Sequence, residues 1–309
     1  LIFTNNDSGY ETAIEFKKNG VNPLILDTRK EPSSDIITEA KNLGIEIKYS
    51  YVVVAAKGYK KVKSADIAKI SDNKKDLSNI ENIECDCICV SGFWTPSIHL
   101  ASQSGNKSEF NEKIDAFIPK KSKQKENTIG SANGKFTLEE TINEAFNKGY
   151  EVSNKITENN NKVSIPTVVE KKSTEHDKFW CVPLPKGKSY KRFLDFQNDV
   201  AVTDIELALR EGFRSIEHVK RYTTLGMATD QGKTSNLNGL QLVSDIENKV
   251  VPQVGHTTFR PPYTPVSIGA IVGREVGKHS KPTRKSPMHE WHEKNNAVFV
   301  DAGVWLRPR

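Results

Sequence analysis

The chain has 309 residues, 36% of them hydrophobic, a net charge of +6 and four cysteines. That length suffices for two domains with sizeable cores. It holds no apolar run approaching a membrane span and no visible signal peptide, and four cysteines are too few for a disulfide scaffold, which favours a reducing, cytoplasmic setting.

The positive charge is densest in "PKKSKQK" and "EKKSTEHDK", where lysines alternate with acids and amides without regular aromatic interleaving. These runs read as solvated surface, with neither a nucleic-acid groove nor a membrane partner. Leu1 stands inside an apolar strand pattern and Arg309 directly follows "VFVDAGVWLRP". Both ends are therefore expected to cut through structure, as in a piece of a longer protein.

Residues 1–28 read as a βαβ unit: the strand "LIFT", the turn "NNDSGY", a helix with Tyr10, Ala13 and Ile14 on its apolar face, and the strand "NPLILD". Ser8 and Glu11 are spaced as a capping box. Asp27 closes the second strand, where a dinucleotide fold often holds a ribose. The phosphate turn has only Gly9 in place of G-x-G-x-x-G, so the unit is Rossmann-like in shape and poorly suited to a pyrophosphate.

A second helix, "SSDIITEAKNLG", aligns Ile36, Ile37, Ala40 and Leu43 on one face. The β-rich "IEIKYSYVVVAAKG" and a short strand near Val62 follow. "IECDCICVSGFW" reads as one strand with Cys85, Cys87 and Cys89 on a single face, small core residues rather than metal ligands.

Next comes a short strand ending at Ile129 and a small-residue turn from Gly130 to Gly134. It leads into a helix capped by Thr137 and Glu140 with Leu138, Ile142, Ala145 and Phe146 as its buried stripe. Such a turn can admit a cofactor's phosphate or ribose, and it can equally be an ordinary βα corner. Residues 151–192 read as a polar linker with one strand at "SIPTVV". Cys181 lies between prolines and aromatics without an evident catalytic partner.

From 193 onward the pattern is helical. Thr203 and Glu206 are spaced as a capping box before Ile205, Ala208 and Leu209. Ser215 opens a second helix carrying Ile216, Val219 and Tyr222, and a third begins near Ser235 with Leu237, Leu240, Val243 and Ile246 in register. Between the last two lies "TLGMATDQGKTSN", which ends like a phosphate-binding P-loop. Five residues separate Gly226 from Gly232 where that loop needs four, and a helix precedes it where a strand is required. An ATP site is rejected on both counts. His289 and His292 fall one residue short of H-E-x-x-H spacing, so no zinc site is expected there.

Longer stretches are more specific. "FLDFQNDVAVTDIELALREGFRSIEHVKRYTTLGMATDQGKTSN", "GHTTFRPPYTPV" and "SPMHEWHEKNNAVFVDAGVWLRPR" resemble the α subunits of heterotetrameric sarcosine oxidases. "FTNNDSGY", "VSGFWTPSIHLASQSG" and "GSANGKFTL" are similar to the preceding part of the same subunits. Two departures lie in one turn, Phe93 where the family has a second glycine and Thr95 where a small amide or similar residue is usual.

The resemblance implies an α/β fold with a Rossmann-like FAD/NAD(P)-binding, disulfide-reductase-like region. A small helical ferredoxin-like module lacking its cluster follows, and then the start of an α+β aminomethyltransferase domain. Residues 1–80 would be an inserted nucleotide-binding domain and 81–150 the returning half of the NAD-binding domain. The linker would span 151–192, the helical module 193–250, an extended connector 251–285 and the start of the folate-binding domain 286–309.

On that basis Gly130, Ser131, Ala132, Phe136 and Thr137 would lie beside NAD. FMN would sit at the boundary with the β subunit, its phosphate met by Arg221, Gln231, Lys233, Thr234 and Arg260. The positions matching the module's cluster cysteines are Asp195, Gln197, Asp230 and Ser235, so no iron–sulfur cluster is expected. FAD and tetrahydrofolate would belong to the whole enzyme outside this segment, together with β, γ and δ subunits and a small amine substrate. No catalytic base or nucleophile for amine oxidation is expected within the chain. A related N-methylglutamate dehydrogenase subunit and a non-catalytic assembly subunit remain as alternatives.

Overall fold

The structure is a computed structural model describing residues 1–120, 122, 124–157, 164–168, 175–274, 277 and 282–309. Alternation of short apolar strands with amphipathic helices builds its first part. β1 (Ile2–Thr4), α1 (Ser8–Lys18) and β2 (Leu24–Asp27) form the expected βαβ unit, with β1 and β2 parallel and Ile2 opposite Ile25. α2 (Asp35–Asn42) leads to β3 (Glu46–Tyr49), which pairs in parallel with β2. Tyr10, Ala13 and Ile14 of α1, Ile37 and Ala40 of α2, and Ile2 and Ile25 of the sheet make one core. Each large aliphatic side chain buried there contributes roughly 1.5–3 kcal/mol.

The chain then leaves the sheet. β4 (Tyr51–Gly58), β5 (Val62–Lys69) and β6 (Glu81–Glu84) form an antiparallel sheet of their own. β7 (Cys89–Ser91) returns to pair in parallel with β1, completing the order β3-β2-β1-β7. The expected single strand across the three cysteines is therefore two strands in two sheets. Cys85 packs with the β5 core, Cys89 with the α1 core, and Cys87 between them is exposed.

The capping pair at α1 also differs from expectation. Asp7 occupies the N-cap, the Ser8 N–H donates to Asn6 Oδ1 at 2.9 Å, and the Ser8 hydroxyl lies 2.6 Å from that of Ser91. The helix begins at Ser8 itself, so the serine is inside the first turn and cannot cap it.

α3 (His99–Gln103) precedes a hairpin of β8 (Ser108–Asn111) and β9 (Ala116–Pro119). The small-residue turn is a 3₁₀ turn, Gly130–Asn133, followed by α4 (Leu138–Thr157). Thr137 Oγ1 accepts from the Glu140 N–H at 3.2 Å, as its spacing predicts. The stripe of α4 is not buried, however: Leu138 is 54% and Phe146 37% exposed, and Ile142 and Ala145 are half-buried. Of the strand expected at "SIPTVV", residues 164–168 are not extended into a ladder with any strand among the described residues, and the last valine lies outside the described residues.

β10 (Phe193–Asp195) and β11 (Val200–Ala201) form a tight antiparallel pair, followed by α5 (Val202–Arg210), α6 (Ile216–Thr223), α7 (Asn236–Glu247) and α8 (Val251–Val254). Val202, Ile205, Ala208, Val219, Leu225, Leu240 and Val243 pack into one core, joined by Ile98 and Phe117 from the α/β part. α5 starts two residues earlier than a Thr203 cap requires, with Ala201 at the N-cap. Asp204 accordingly takes the Ala201 N–H at 2.8 Å, while Glu206 pairs with Arg192 at 3.6 Å.

Residues 264–309 form a separate compact unit. It holds α9 (Ile268–Val272), β12 (Arg284–Lys285), α10 (His289–Lys294), β13 (Phe299–Ala302) and β14 (Trp305–Pro308), its sheet ordered β12-β14-β13. His289 is buried against the Phe299 ring, 4.5 Å between centroids. Among the described residues no cluster of three or more His, Cys, Asp or Glu could hold a metal ion, and no helix is long and apolar enough to cross a membrane.

Candidate functional site

Asp195 ends β10 and organises the polar loop between α6 and α7. One carboxylate oxygen accepts the backbone N–H groups of Gln197 and Asn198, and the other accepts that of Gly226 at 2.9 Å. Gln197 Oε1 accepts from the Thr229 hydroxyl at 2.8 Å and from the Asp230 N–H at 3.4 Å. Asp230 in turn accepts from the Gly232 N–H and the Thr234 hydroxyl. Three of the four positions matched to cluster cysteines thus lie in one hydrogen-bonded network. The fourth, Ser235, is fully buried at the N-cap of α7.

Gly226 and Gly232 have φ of +65° and +72°. A Cβ on either would come within 2.0 or 2.3 Å of the Asn236 side chain. The glycines of the P-loop look-alike therefore serve left-handed turns and the close approach of Asn236.

A cavity of about 180 Å³ lies beside this loop, lined among others by His99, Phe117, Lys233, Asn236, Thr257 and Phe259. His99 Nε2 is 3.0 Å from the Gln231 carbonyl, and its ring lies 3.8 Å from that of Phe259. Burial, with Lys233 nearby, holds the His99 pKa below its ordinary value. Lys233 Nζ donates to the Tyr263 carbonyl at 2.6 Å and sits 4.5 Å from the centre of that ring.

The five candidates for an anion divide into two groups. Gln231, Lys233 and Thr234 belong to the loop, where Thr234 and the neighbouring amides already donate to Asp230. That part is filled by its own carboxylate and does not fit a phosphate. Arg221 and Arg260 are exposed, and burial, only partly offset by Glu217 and aided by the two arginines, depresses the pKa of Lys220. Glu217 already pairs with Arg221 at 3.9 Å in this patch, Lys220 Nζ donates to the Thr258 carbonyl at 3.2 Å, and Lys220 was not among the expected residues.

At the other candidate turn, Glu144 of α4 accepts from the Gly130 N–H and from Asn133 Nδ2, both at 2.7 Å. Ser131 is exposed, Ala132 and Thr137 are half-buried, and Phe136 meets Phe93 edge-on at 5.7 Å. With a carboxylate on its N–H donors the turn does not fit a phosphate.

Asp27 is not free for a ribose either. It is fully buried, accepts from the Tyr10 hydroxyl at 2.7 Å and is forked by Arg29, which also pairs with Asp7 at 2.8 Å. A second, polar cavity of about 390 Å³ lies just beyond it, where Lys74 is bonded to Asp177.

His99, Asn236 and Lys220 escaped the sequence reading. Each is a single polar residue on a helix, without a local pattern to mark it. "PSIHL" carried one usable sign, a histidine within an otherwise apolar and small-residue stretch.

Residues 189–274 match the sarcosine oxidase A3 domain family. Along 99% of its length the chain is 36% identical to the sarcosine oxidase subunit alpha of Rhizobium meliloti (strain 1021) and 32% identical to that of Corynebacterium sp. (strain U-96). It spans 30% and 32% of those two proteins. The resemblance read from the motifs therefore extends from end to end. Among solved structures, L-proline dehydrogenase from P. horikoshii is similar over 82% of this chain and 50% of its own, at 19% identity and a TM-score of 0.48.

Proposed function

We propose that this chain is an internal part of the α subunit of a flavin-dependent sarcosine oxidase. The whole enzyme would take two electrons and two protons from the C–N bond of sarcosine and pass them to oxygen as hydrogen peroxide. Addition of water would then release glycine and formaldehyde, or the carbon would be transferred to tetrahydrofolate as 5,10-methylenetetrahydrofolate. The observation that carries this reading is a likeness spread over both the α/β part and the helical part, with 36% identity along 99% of the chain.

Within that reading, a bound flavin supplies the redox chemistry and this chain binds and positions. Arg221 and Arg260, with Lys220, would neutralise the FMN phosphate, and Gln231, Lys233 and Thr234 would form the adjoining wall. Gly130, Ser131, Ala132, Phe136 and Thr137, with the carboxylate of Glu144, would border a sugar of NAD. The Asp195–Gln197–Asp230 network would hold by hydrogen bonds a loop that a [2Fe–2S] cluster holds elsewhere. The domain division at residues 80, 150, 192, 250 and 285 and a cytoplasmic location belong to the same proposal. So do partnership with β, γ and δ subunits and FAD and folate sites outside this segment.

Purification of the native assembly tests it. Peroxide release with sarcosine is expected, together with bound FMN and NAD and without stoichiometric iron or acid-labile sulfide. Turnover of N-methylglutamate in place of sarcosine would assign a related dehydrogenase, and an assembly without flavin or turnover would leave a scaffolding subunit.

A further inference from the structure

We propose that Cys87 and Cys89 form a modification site, a thiol pair that hydrogen peroxide closes into a reversible intrachain disulfide. The proposal stands on the placement of the thiols and does not depend on the sarcosine oxidase reading.

The two cysteines are aligned by the return of the chain to β1. The Leu1 nitrogen donates to the Cys87 carbonyl at 3.0 Å, and the Leu1 carbonyl accepts from the Cys89 N–H at 2.9 Å. One residue bonded in this way to two residues on either side of a third is the pattern of a parallel ladder. Side chains two positions apart on such a segment share a face, and the two Sγ atoms lie 3.9 Å apart. Cys85 stands on the other side of the bend at Asp86 and packs with Ala65 and Ile67 in the core of the other sheet.

The two thiols differ in access. Cys87 is exposed and Cys89 is half-buried against the α1 core. Burial, with the contact to Cys87, raises the Cys89 pKa. Peroxide therefore meets Cys87, and Cys89 stands beside it as the resolving thiol. Among the described residues no third His, Cys, Asp or Glu joins the pair to hold a metal ion.

The chemistry runs in two displacements. The Cys87 thiolate attacks one oxygen of hydrogen peroxide. An S–O bond forms, the O–O bond breaks, and the second oxygen leaves as hydroxide and takes up the thiol's proton to become water. The Cys89 sulfur then attacks the sulfur of the Cys87 sulfenic acid. The S–S bond forms, the S–O bond breaks, and the hydroxyl leaves with the Cys89 proton as a second water. Two thiols lose two electrons and two protons, and one peroxide becomes two waters. Two residues of extended chain span ~7 Å, at the far edge of the ~4.4–6.8 Å between Cα atoms that a disulfide accepts. A bridge formed there is strained, so added thiol should reduce it readily.

Peptide mapping tests the proposal. The native assembly, freed of reductant, is treated with hydrogen peroxide, alkylated with iodoacetamide in denaturant and cleaved before Asp86. That cut puts Cys85 on one peptide and the pair on the other. We expect the peptide carrying the pair to lose two hydrogens and to lose alkylation at both cysteines, while Cys85 stays alkylated. Dithiothreitol should restore both thiols. Cys85→Ser should leave the result unchanged. Cys89→Ser should stop the reaction at a Cys87 sulfenic acid that dimedone traps, a label absent from the bridged form. The map of the unsubstituted assembly decides the matter if a variant fails to fold. A Cys87 that stays alkylatable, a bridge from Cys85, or Cys87 sulfinic acid without a bridge would overturn the proposal.

Discussion

Arg29 grips Asp27 from the second residue beyond it, with Nη2 at 2.9 Å and Nε at 3.1 Å from one carboxylate oxygen, at the carboxyl end of β2. The acid is fully buried and the guanidinium nearly so. Removing one partner strands a charge in the interior. Arg29→Met is therefore expected to cost about 3–5 kcal/mol of stability, measured by urea denaturation at pH 7.

The same carboxylate accepts the Tyr10 hydroxyl at 2.7 Å. Burial first, and then the charge and hydrogen bond of Asp27, push the Tyr10 pKa well above its ordinary value. The phenol stays neutral in the folded chain while the unfolded chain ionises near pH ~10. Its contribution is complete below that pH and is lost as pH rises beyond it. Denaturation midpoints should fall between pH 9 and 11, and Tyr10→Phe should flatten that slope.

Acid should act through Glu247, which Lys249 at 2.7 Å and Arg214 at 3.1 Å hold below the usual carboxylate range. The stability it adds is present above the unfolded value near pH ~4.3 and disappears as pH falls through the folded one. Both cations are more than a third exposed, so screening keeps the effect to ~1 kcal/mol or less. Glu247→Gln should remove that part of the acid limb, and salt should shrink it.

Much of the fold was legible because its signals are local. Ile37 and Ala40, or Ile205, Ala208 and Leu209, repeat with the helical period and are buried as that period predicts. The misreading around Cys85, Cys87 and Cys89 has a physical cause. Alternation of cysteine with Asp86 and Ile88 has the strand period but carries no mark of the point at which the chain changes sheets. Pairing of β7 with β1 is set by contacts some 85 residues apart, beyond any window of periodicity. The anion candidates show the same limit. Lys233 and Thr234 were visible, whereas the use of their loop's donors by Asp230 depends on three-dimensional closure.

The loop between α6 and α7 should answer sharply to two substitutions. Gly232→Ala puts a methyl group against Asn236 at a left-handed φ and is expected to cost more than ~1 kcal/mol. Asp195→Ala removes the acceptor of three backbone N–H groups, a loss of ~1–3 kcal/mol. Hydrogen exchange at Gly226 should quicken in the latter while α1 and β2 keep their protection.

The thiols should separate by rate. Cys85, Cys89 and Cys181 have pKa values raised by burial, and Cys87 is exposed. Iodoacetamide at pH 8 should label Cys87 first, as read by peptide mass spectrometry, and the others only as denaturant is added.

The late return of β7 bears on synthesis. While the polypeptide is still emerging, β1 can already zip to β2, yet its opposite flank must wait until Cys89–Ser91 has been made, with the whole β4–β6 excursion translated in between. For that interval a nascent molecule carries a bare row of amides and carbonyls that another copy, or a chaperone, can engage. Stalled or truncated products ending before residue 89 are thus the forms most prone to aggregate.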